Sequence, residues 1–229
     1  MGYRHLPDDC DLPPQRIFDW PCRTWHWINA LLVVVLIVSG YLIGTPLPSS
    51  SGDTSSLYVM GWLRFAHLAS GQLFALGFLF RVYWAFNGNQ YSWQLFLPTF
   101  WKKSWTDGFW AQIKWNLMIL DGAPRYVGLN PVANVIMLIL FVLPSILTIL
   151  TGFAMLAEVA GHDSWQYFCF GWMVSIFGNT LDLHLLHRLC LWALVCFTMS
   201  HIYIAIREDV VGRQTMVSTM LSGIRQYRR

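Results

Sequence analysis

The sequence contains few charged residues. Only 12% of its 229 residues are Asp, Glu, Lys or Arg, whereas 55% are hydrophobic and the mean hydropathy is positive. A typical soluble domain has about 25% charged residues. The formal net charge of +3 is also too small to indicate a nucleic-acid partner. The composition therefore predicts an integral membrane protein with no nucleic-acid partner.

The sequence also lacks any closely spaced pair of cysteines. Its five cysteines form no C-x-x-C motif, and none belongs to the C-x-x-C-H signature that attaches haem covalently. This absence excludes a c-type haem site. Any haem in this chain must be held by non-covalent contacts and axial ligands.

Four apolar segments are long enough to cross a bilayer, which takes about 20 residues. They lie at about 25–43, 62–86, 131–156 and 183–206. The first is longer than a signal-peptide core and has no small-residue cleavage site after it, so it should be retained. Pro144 predicts a kink in the third segment. We therefore expect an all-α integral membrane protein, a four-transmembrane-helix bundle in one domain over 1–229.

The segments between the spans differ in composition. Residues 1–24 are polar and are expected to form a tail outside the bilayer. Asn87 to Leu129 mixes tryptophan with lysine, which favours a position on the membrane surface. The loops Thr45 to Gly61 and Ala157 to Asp182 contain no lysine or arginine, and the second is rich in aromatic residues.

Lysine and arginine predict the orientation of the chain. The tail up to Arg23 has three, the segment from Arg81 to Arg125 has five, and the C-terminal tail has five. Cytoplasmic loops carry an excess of these residues. Both termini and the tryptophan-rich segment are therefore expected in the cytoplasm, with the two loops that lack positive charge outside.

Five histidines lie within the predicted spans, and four of them, all except His184 at the outer rim, form two pairs by depth. His187 and His201 are 14 residues apart, which on a helix means about 40° around the axis and roughly 21 Å along it. By depth, His201 is level with His26 near the cytoplasm, and His67 is level with His187 near the outside. Ionisable residues at such depths are usually functional. Two axial imidazoles per iron would give two b-type haems, one in each leaflet, that only transfer electrons.

Six stretches of the chain carry a recognisable pattern, and together they cover all four spans. They are Arg23-Thr-Trp-His-Trp27, Ser39-Gly-Tyr-Leu-Ile-Gly44, Met60-Gly-Trp-Leu-Arg-Phe-Ala-His67, Arg81-Val-Tyr-Trp-Ala-Phe-Asn-Gly-Asn89, Asn130-Pro131, and His184-Leu-Leu-His187-Arg188 through His201-Ile-Tyr203 to Arg207-Glu-Asp209. In these stretches the chain resembles the b-type cytochrome subunit of membrane-bound nickel-iron hydrogenases and, more distantly, the cytochrome subunit of formate dehydrogenase.

The resemblance implies a di-haem anchor and electron-transfer subunit in the bacterial inner membrane. Small and large hydrogenase subunits would dock on the outer face, where the hydrogen chemistry takes place, and the loops Ala157 to Asp182 and Thr45 to Gly61 would meet them. His67 and His187 would bind the outer haem, and His26 and His201 the inner haem, beside which quinone is reduced.

Other polar residues have weaker contexts. Arg64 and Arg188 are candidates for propionate contacts or for snorkelling to the interface. Asn130 and Asn134 are candidates for quinone contacts, although capping a helix or bridging to a neighbour is the more common role of asparagine there. His184 is expected at the surface or against a propionate. His5 and His162 are expected to be solvent-exposed.

Three other functions fit part of the pattern. A proton-coupled or metal-ion carrier would also use histidines in the membrane, but the spans contain almost no acidic residue and show no internal repeat. A free-standing di-haem cytochrome that oxidises a small diffusible donor would keep the haems without the hydrogenase. The cytochrome subunit of another quinone-linked dehydrogenase, such as formate dehydrogenase, would keep both haems and quinone.

Overall fold

The computed structural model describes residues 5–6, 14–45 and 58–226, and the chain is mostly helical. Four of its helical stretches are long and apolar enough to cross a membrane. They are α1 (Trp20–Gly44), α2 (Val59–Asn87), the continuous stretch Pro131–Ala160, and α7 (Thr180–Val210), with 25, 29, 30 and 31 residues. Each contains one of the four predicted segments, so the four predicted spans are confirmed.

The helix ends differ from the prediction. Helix α1 begins at Trp20, five residues earlier than expected, so the predicted tail 1–24 is too long. Pro21 fits there because the first turn of a helix has no intrahelical partner for its N–H groups. The other spans also extend past the predicted ends, because polar residues at a helix end continue the backbone hydrogen bonds although they leave the hydrophobic pattern.

The third span changes its helical geometry before Pro144. Helix α4 (Pro131–Met137) passes into a π-helical turn at Leu138–Val142 and then into α5 (Leu143–Ala160). Proline has no N–H and its ring clashes with the carbonyl four residues earlier. A π-helical turn is one of the ways in which a helix accommodates such a disruption. The structure thus has a π-helical turn just before Pro144, and the kink itself stays a prediction.

The prediction that Ala157 to Asp182 forms a loop was wrong, because part of this segment is helical. It contains helix α6 (Trp165–Phe177), between the ends of α5 and α7. Ser164 caps the N-terminus, because its Oγ accepts a 3.1 Å hydrogen bond from the N–H of Tyr167. Gly178 ends the helix with a φ of 72°, a conformation that favours glycine. Both capping signals are local, but the continuously apolar sequence hides any helical period.

The described residues form two compact units. The first combines the residues up to Thr24 with Arg81–Pro144 and those from Ala193 onward; the second combines those within Trp25–Phe80 with Ser145–Trp192.

Short strands join distant parts of the sequence in the first unit. Strand β2 (Gln15–Arg16) pairs antiparallel with β4 (Ile224–Arg225), which follows helix α8 (Met216–Ser222). Strand β1 (His5–Leu6) pairs with β3 (Arg125–Tyr126). The first and last described segments of the chain are therefore both hydrogen-bonded into this unit.

The tryptophan-rich segment of the first unit contains helix α3 (Lys103–Asn116), which was not predicted. One face of α3 is buried, through Trp105, Gly108, Gln112 and Trp115. The spacing of three and four residues is that of one face of a helix, and Lys103 and Lys114 are exposed outside it.

Candidate functional site

The second unit brings two of the predicted histidines together. His67 of α2 and His187 of α7 have ring centroids 6.3 Å apart, with 69° between the ring planes. Because imidazole nitrogen binds a metal at about 2.0–2.1 Å, two imidazoles on opposite sides of one metal have centroids roughly 6 Å apart. The spacing of the two rings therefore fits a shared iron.

The Nδ1 atoms of both rings contact hydroxyl groups. Ser39 Oγ of α1 lies 2.9 Å from Nδ1 of His67, and Thr151 Oγ1 of α5 lies 2.7 Å from Nδ1 of His187. These contacts leave Nε2 of each ring as the nitrogen for a ligand. Neither hydroxyl was predicted from the sequence.

Two glycines let the rings lie against the neighbouring helices. A Cβ atom at Gly40 would be 3.0 Å from Cε1 of His67, and one at Gly152 would be 3.4 Å from Cε1 of His187. Both distances are shorter than an ordinary carbon contact of about 3.5–4.0 Å. Gly40 of α1 therefore lies against His67, and Gly152 of α5 lies against His187.

The donor set suits haem iron, which has two axial positions for protein ligands. A structural zinc ion takes four protein ligands, and a catalytic zinc ion takes three. Among residues 5–6, 14–45 and 58–226, no cluster of three or more His, Cys, Asp or Glu is arranged to hold a metal ion. Two opposed imidazoles inside long apolar helices are the arrangement that a bis-histidine haem requires.

The charged and histidine side chains predicted beside this pair are exposed. Arg64 and Arg188, the predicted propionate contacts, both lie at the surface of the second unit. The Arg188 guanidinium passes the backbone of Gly44, with its central carbon 3.8 Å from the position of an added Cβ. His184 and His162 are exposed as expected, whereas the side chain of His5 lies outside the described residues.

The two members of the other predicted pair lie in different units, His26 in the second and His201 in the first. His201 stacks on Phe197 with a centroid distance of 5.3 Å and an interplanar angle of 21°. Apolar side chains of α4 and α7 line a small pocket beside its ring. They are Ala133, Ile136, Met137, Phe197 and Ile204. The pairing of His26 with His201 stays a prediction.

The two predicted quinone contacts are engaged within the first unit. Asn130 caps α4, because its Oδ1 accepts a 2.6 Å hydrogen bond from the N–H of Ala133. Asn134 is fully buried, and its Nδ2 donates to the carbonyl of Gln94. Capping or bridging was the more common role that sequence analysis gave them, and both residues have it here.

A buried carboxylate near Asn130 was not predicted. Glu208 is 2% exposed, and its Oε1 accepts hydrogen bonds from Nε2 of Gln112 at 2.6 Å and Nδ2 of Asn130 at 3.4 Å. Nε2 of Gln214 donates to its Oε2 at 3.4 Å. Gln112 and Asn130 are 96 and 78 residues away from Glu208 along the chain, whereas Gln214 is six residues away. The sequence Arg207-Glu208-Asp209 suggests only a charged helix end.

Comparison with known proteins gives one family. The profile of the prokaryotic cytochrome b561 family matches residues 17–223. The probable Ni/Fe-hydrogenase B-type cytochrome subunit of Bradyrhizobium diazoefficiens is 46% identical over 217 residues, covering 94% of this chain and 87% of the relative. That of Azotobacter vinelandii is 44% identical over 212 residues, covering 93% and 88%. The probable Ni/Fe-hydrogenase 1 B-type cytochrome subunit of Escherichia coli (strain K12) is 40% identical over 217 residues, covering 93% and 91%.

Proposed function

We propose, since this chain belongs to the prokaryotic cytochrome b561 family, that it is the di-haem anchor and electron-transfer subunit of a nickel-iron hydrogenase. The chain is a multi-pass membrane protein with four spans, and its relatives are bacterial. It would reside in the inner membrane and pass electrons from the small hydrogenase subunit to quinone. Hydrogen chemistry would take place in the partner subunits.

The observation that carries this proposal is the pair formed by His67 and His187. Their spacing of 6.3 Å and their Nδ1 contacts with Ser39 and Thr151 leave two Nε2 atoms for one iron. A haem with two imidazole ligands has no open position for oxygen or substrate, so it supplies one-electron transfer alone. The residues of this chain would therefore hold and orient the haem and take no part in bond chemistry.

A second haem, held by His26 and His201, completes the proposal. His201 lies on the same helix as His187, 14 residues further along. Quinone would be reduced on this side. Asn130, which donates to the buried Glu208, would take part in quinone binding.

The proposed docking face for the hydrogenase subunits lies at the other end of α7. Helix α6, just before it, exposes an apolar stripe at intervals of three and four residues, formed by Trp165, Phe168, Trp172 and Ile176. Such a stripe suits contact with a partner or with the membrane interface. The second part of the predicted docking face, Thr45 to Gly61, lies mostly outside the described residues.

Orientation is tested by reporter fusions. Because the segments rich in lysine and arginine should be cytoplasmic, a reporter fused after Arg229 should be active only in the cytoplasm. One inserted near Ser51 should be active only outside. The reverse pattern would contradict the assignment of His67 and His187 to the outer haem.

Purification through a tag on this chain tests the function as a whole. We expect about two haem b per chain, because each haem takes two of the four histidines. Hydrogenase subunits should copurify, and hydrogen gas should reduce the haems in the purified complex. Chains without haem would contradict the cytochrome assignment. Two haems reduced by a small diffusible donor but not by hydrogen, in a preparation free of hydrogenase, would favour the free-standing cytochrome.

A further inference from the structure

Two buried hydroxyl groups hold the paired histidines in the same way. Ser39 is 3% exposed and Thr151 is 0% exposed, and each contacts the Nδ1 atom of one histidine. We propose that Ser39 and Thr151 are positioning residues that fix the tautomer of His67 and His187 and set their strength as iron ligands. This inference rests on the proposed role of both histidines as haem ligands.

The destination of each hydroxyl proton decides the direction of these hydrogen bonds. Ser39 Oγ lies 2.6 Å from the carbonyl oxygen of Val35, and Thr151 Oγ1 lies 2.6 Å from that of Leu147. A hydroxyl has one proton, and a carbonyl oxygen can only accept. Once the proton is donated there, the hydroxyl oxygen can only accept from histidine.

The ring nitrogens are thereby assigned. Nδ1 of His67 and of His187 must carry the proton and donate it, and Nε2 keeps the lone pair that binds a metal. Neither ring needs to change tautomer before it binds iron. Many other groups can accept the Nδ1 proton of a histidine. The use of a buried hydroxyl for both rings therefore indicates that the two contacts have the same role in the site.

The helices that carry Ser39 and Thr151, α1 and α5, share a short sequence as well as the contact with histidine. Ser39 is followed by Gly40, and Thr151 is followed by Gly152. In both cases the hydroxyl accepts from Nδ1, while the glycine leaves room for the neighbouring Cε1 atom. A hydroxyl residue followed by glycine thus forms a seat for an imidazole that comes from another helix.

The hydrogen bond also makes each imidazole a stronger donor to iron. An N–H that donates to a good acceptor raises the basicity of the ring. Each hydroxyl already donates to a carbonyl, which strengthens it as an acceptor. A more basic ligand favours ferric over ferrous iron, so these contacts should lower the potential of the outer haem.

The two hydrogen bonds differ in length and burial. The contact between Thr151 Oγ1 and Nδ1 of His187 is 2.7 Å, whereas that between Ser39 Oγ and Nδ1 of His67 is 2.9 Å. Thr151 is also the more deeply buried, at 0% exposed against 3% for Ser39. Removal of the Thr151 hydroxyl should therefore have the larger effect.

Redox titration of the purified, full-length chain tests the proposal. Thr151→Val and Ser39→Ala should keep the haem but raise the potential of one of the two haem components. For Thr151→Val the ratio of ferric to ferrous haem should fall up to about tenfold at a fixed potential, a shift of about 59 mV. Ser39→Ala should shift it less. Thr151→Ser and Ser39→Thr, which keep the hydroxyl, should stay close to the wild-type potential.

Thr198→Val is the matched control. Thr198 donates to the carbonyl of Leu194 four residues earlier, as Thr151 does to Leu147, but its hydroxyl has no hydrogen bond to histidine among those found. Its variant should leave the potential of the outer haem unchanged. If Thr151→Val lost the outer haem, Ser39→Ala would provide the titration, with the inner haem as the measure of folding.

Two results separate the inference from the proposed function. In the first, the wild-type chain contains haem and His187→Ala loses one haem, but Ser39→Ala and Thr151→Val have the same haem potentials as the wild type. That result would overturn the positioning role alone. In that case the hydroxyls would serve only to join the helices. Wild-type chains that bind no haem would overturn both.

Discussion

Alanine in place of His187 should lower the haem content of the purified protein by about half, because one of two haems loses an axial ligand. His201→Ala should remove the other half. His187 faces His67 at 6.3 Å in the second unit, whereas His201 belongs to the first unit, against Phe197. The measurement is haem per chain from the pyridine haemochrome spectrum, with circular dichroism to show that the helices remain.

The control for this prediction lies one turn away. His184→Ala makes the same change on helix α7, but His184 is exposed, whereas Nδ1 of His187 is held by the buried Thr151. The haem content of His184→Ala should therefore equal that of the wild type. A larger loss from His184→Ala than from His187→Ala would mean that helix α7 presents the other histidine to the haem.

Two features could be predicted from the sequence. They are the four spans and the choice of His187, rather than the exposed His184, as the histidine that faces a neighbouring helix. Length and apolar composition identify a span because lipid leaves a helix few alternatives. The 14 residues between His187 and His201 fix their relative direction through helix geometry alone. Both properties depend on one segment alone, so they can be predicted without knowing how the neighbouring helices pack.

Contacts between helices could not be predicted in the same way. Ser39 and Thr151 reach histidines on other helices, and the distance along the chain is 28 residues in one case and 36 in the other. Whether a hydroxyl faces a neighbour depends on the rotation of both helices about their axes, and an almost uniformly apolar span hides that rotation. The repeated sequence of hydroxyl and glycine becomes meaningful only beside the two rings.

The contacts of Asn130 show the same limit. Asn130 was recognised as either a cap or a quinone contact, and the cap is present. Its second contact, with Glu208, joins residues 78 positions apart. A carboxylate at the end of an apolar helix is usually solvated, so nothing in the local sequence distinguishes a buried Glu208 from its neighbour Asp209.

The order of electron transfer gives the second large effect. If electrons enter at the outer haem and leave to quinone beside the inner one, His67→Ala and His26→Ala should both abolish hydrogen-dependent quinone reduction. They should do so at different points. The 14 residues of α7 between His187 and His201 correspond to roughly 21 Å along the helix axis. That distance is long for an electron that must bypass a missing haem.

Membranes under hydrogen and without quinone separate the two variants. In His26→Ala the remaining outer haem should still become reduced, because its proposed ligands His67 and His187 and their hydrogen-bond partners Ser39 and Thr151 are unchanged. In His67→Ala the inner haem should stay oxidised. Absorbance of the haem bands over time is the measurement, and reduction of an artificial dye shows that the hydrogenase itself is active. Rapid reduction of the inner haem in His67→Ala would contradict the serial order and indicate that electrons enter near His201, since the outer haem would then be unnecessary for the path.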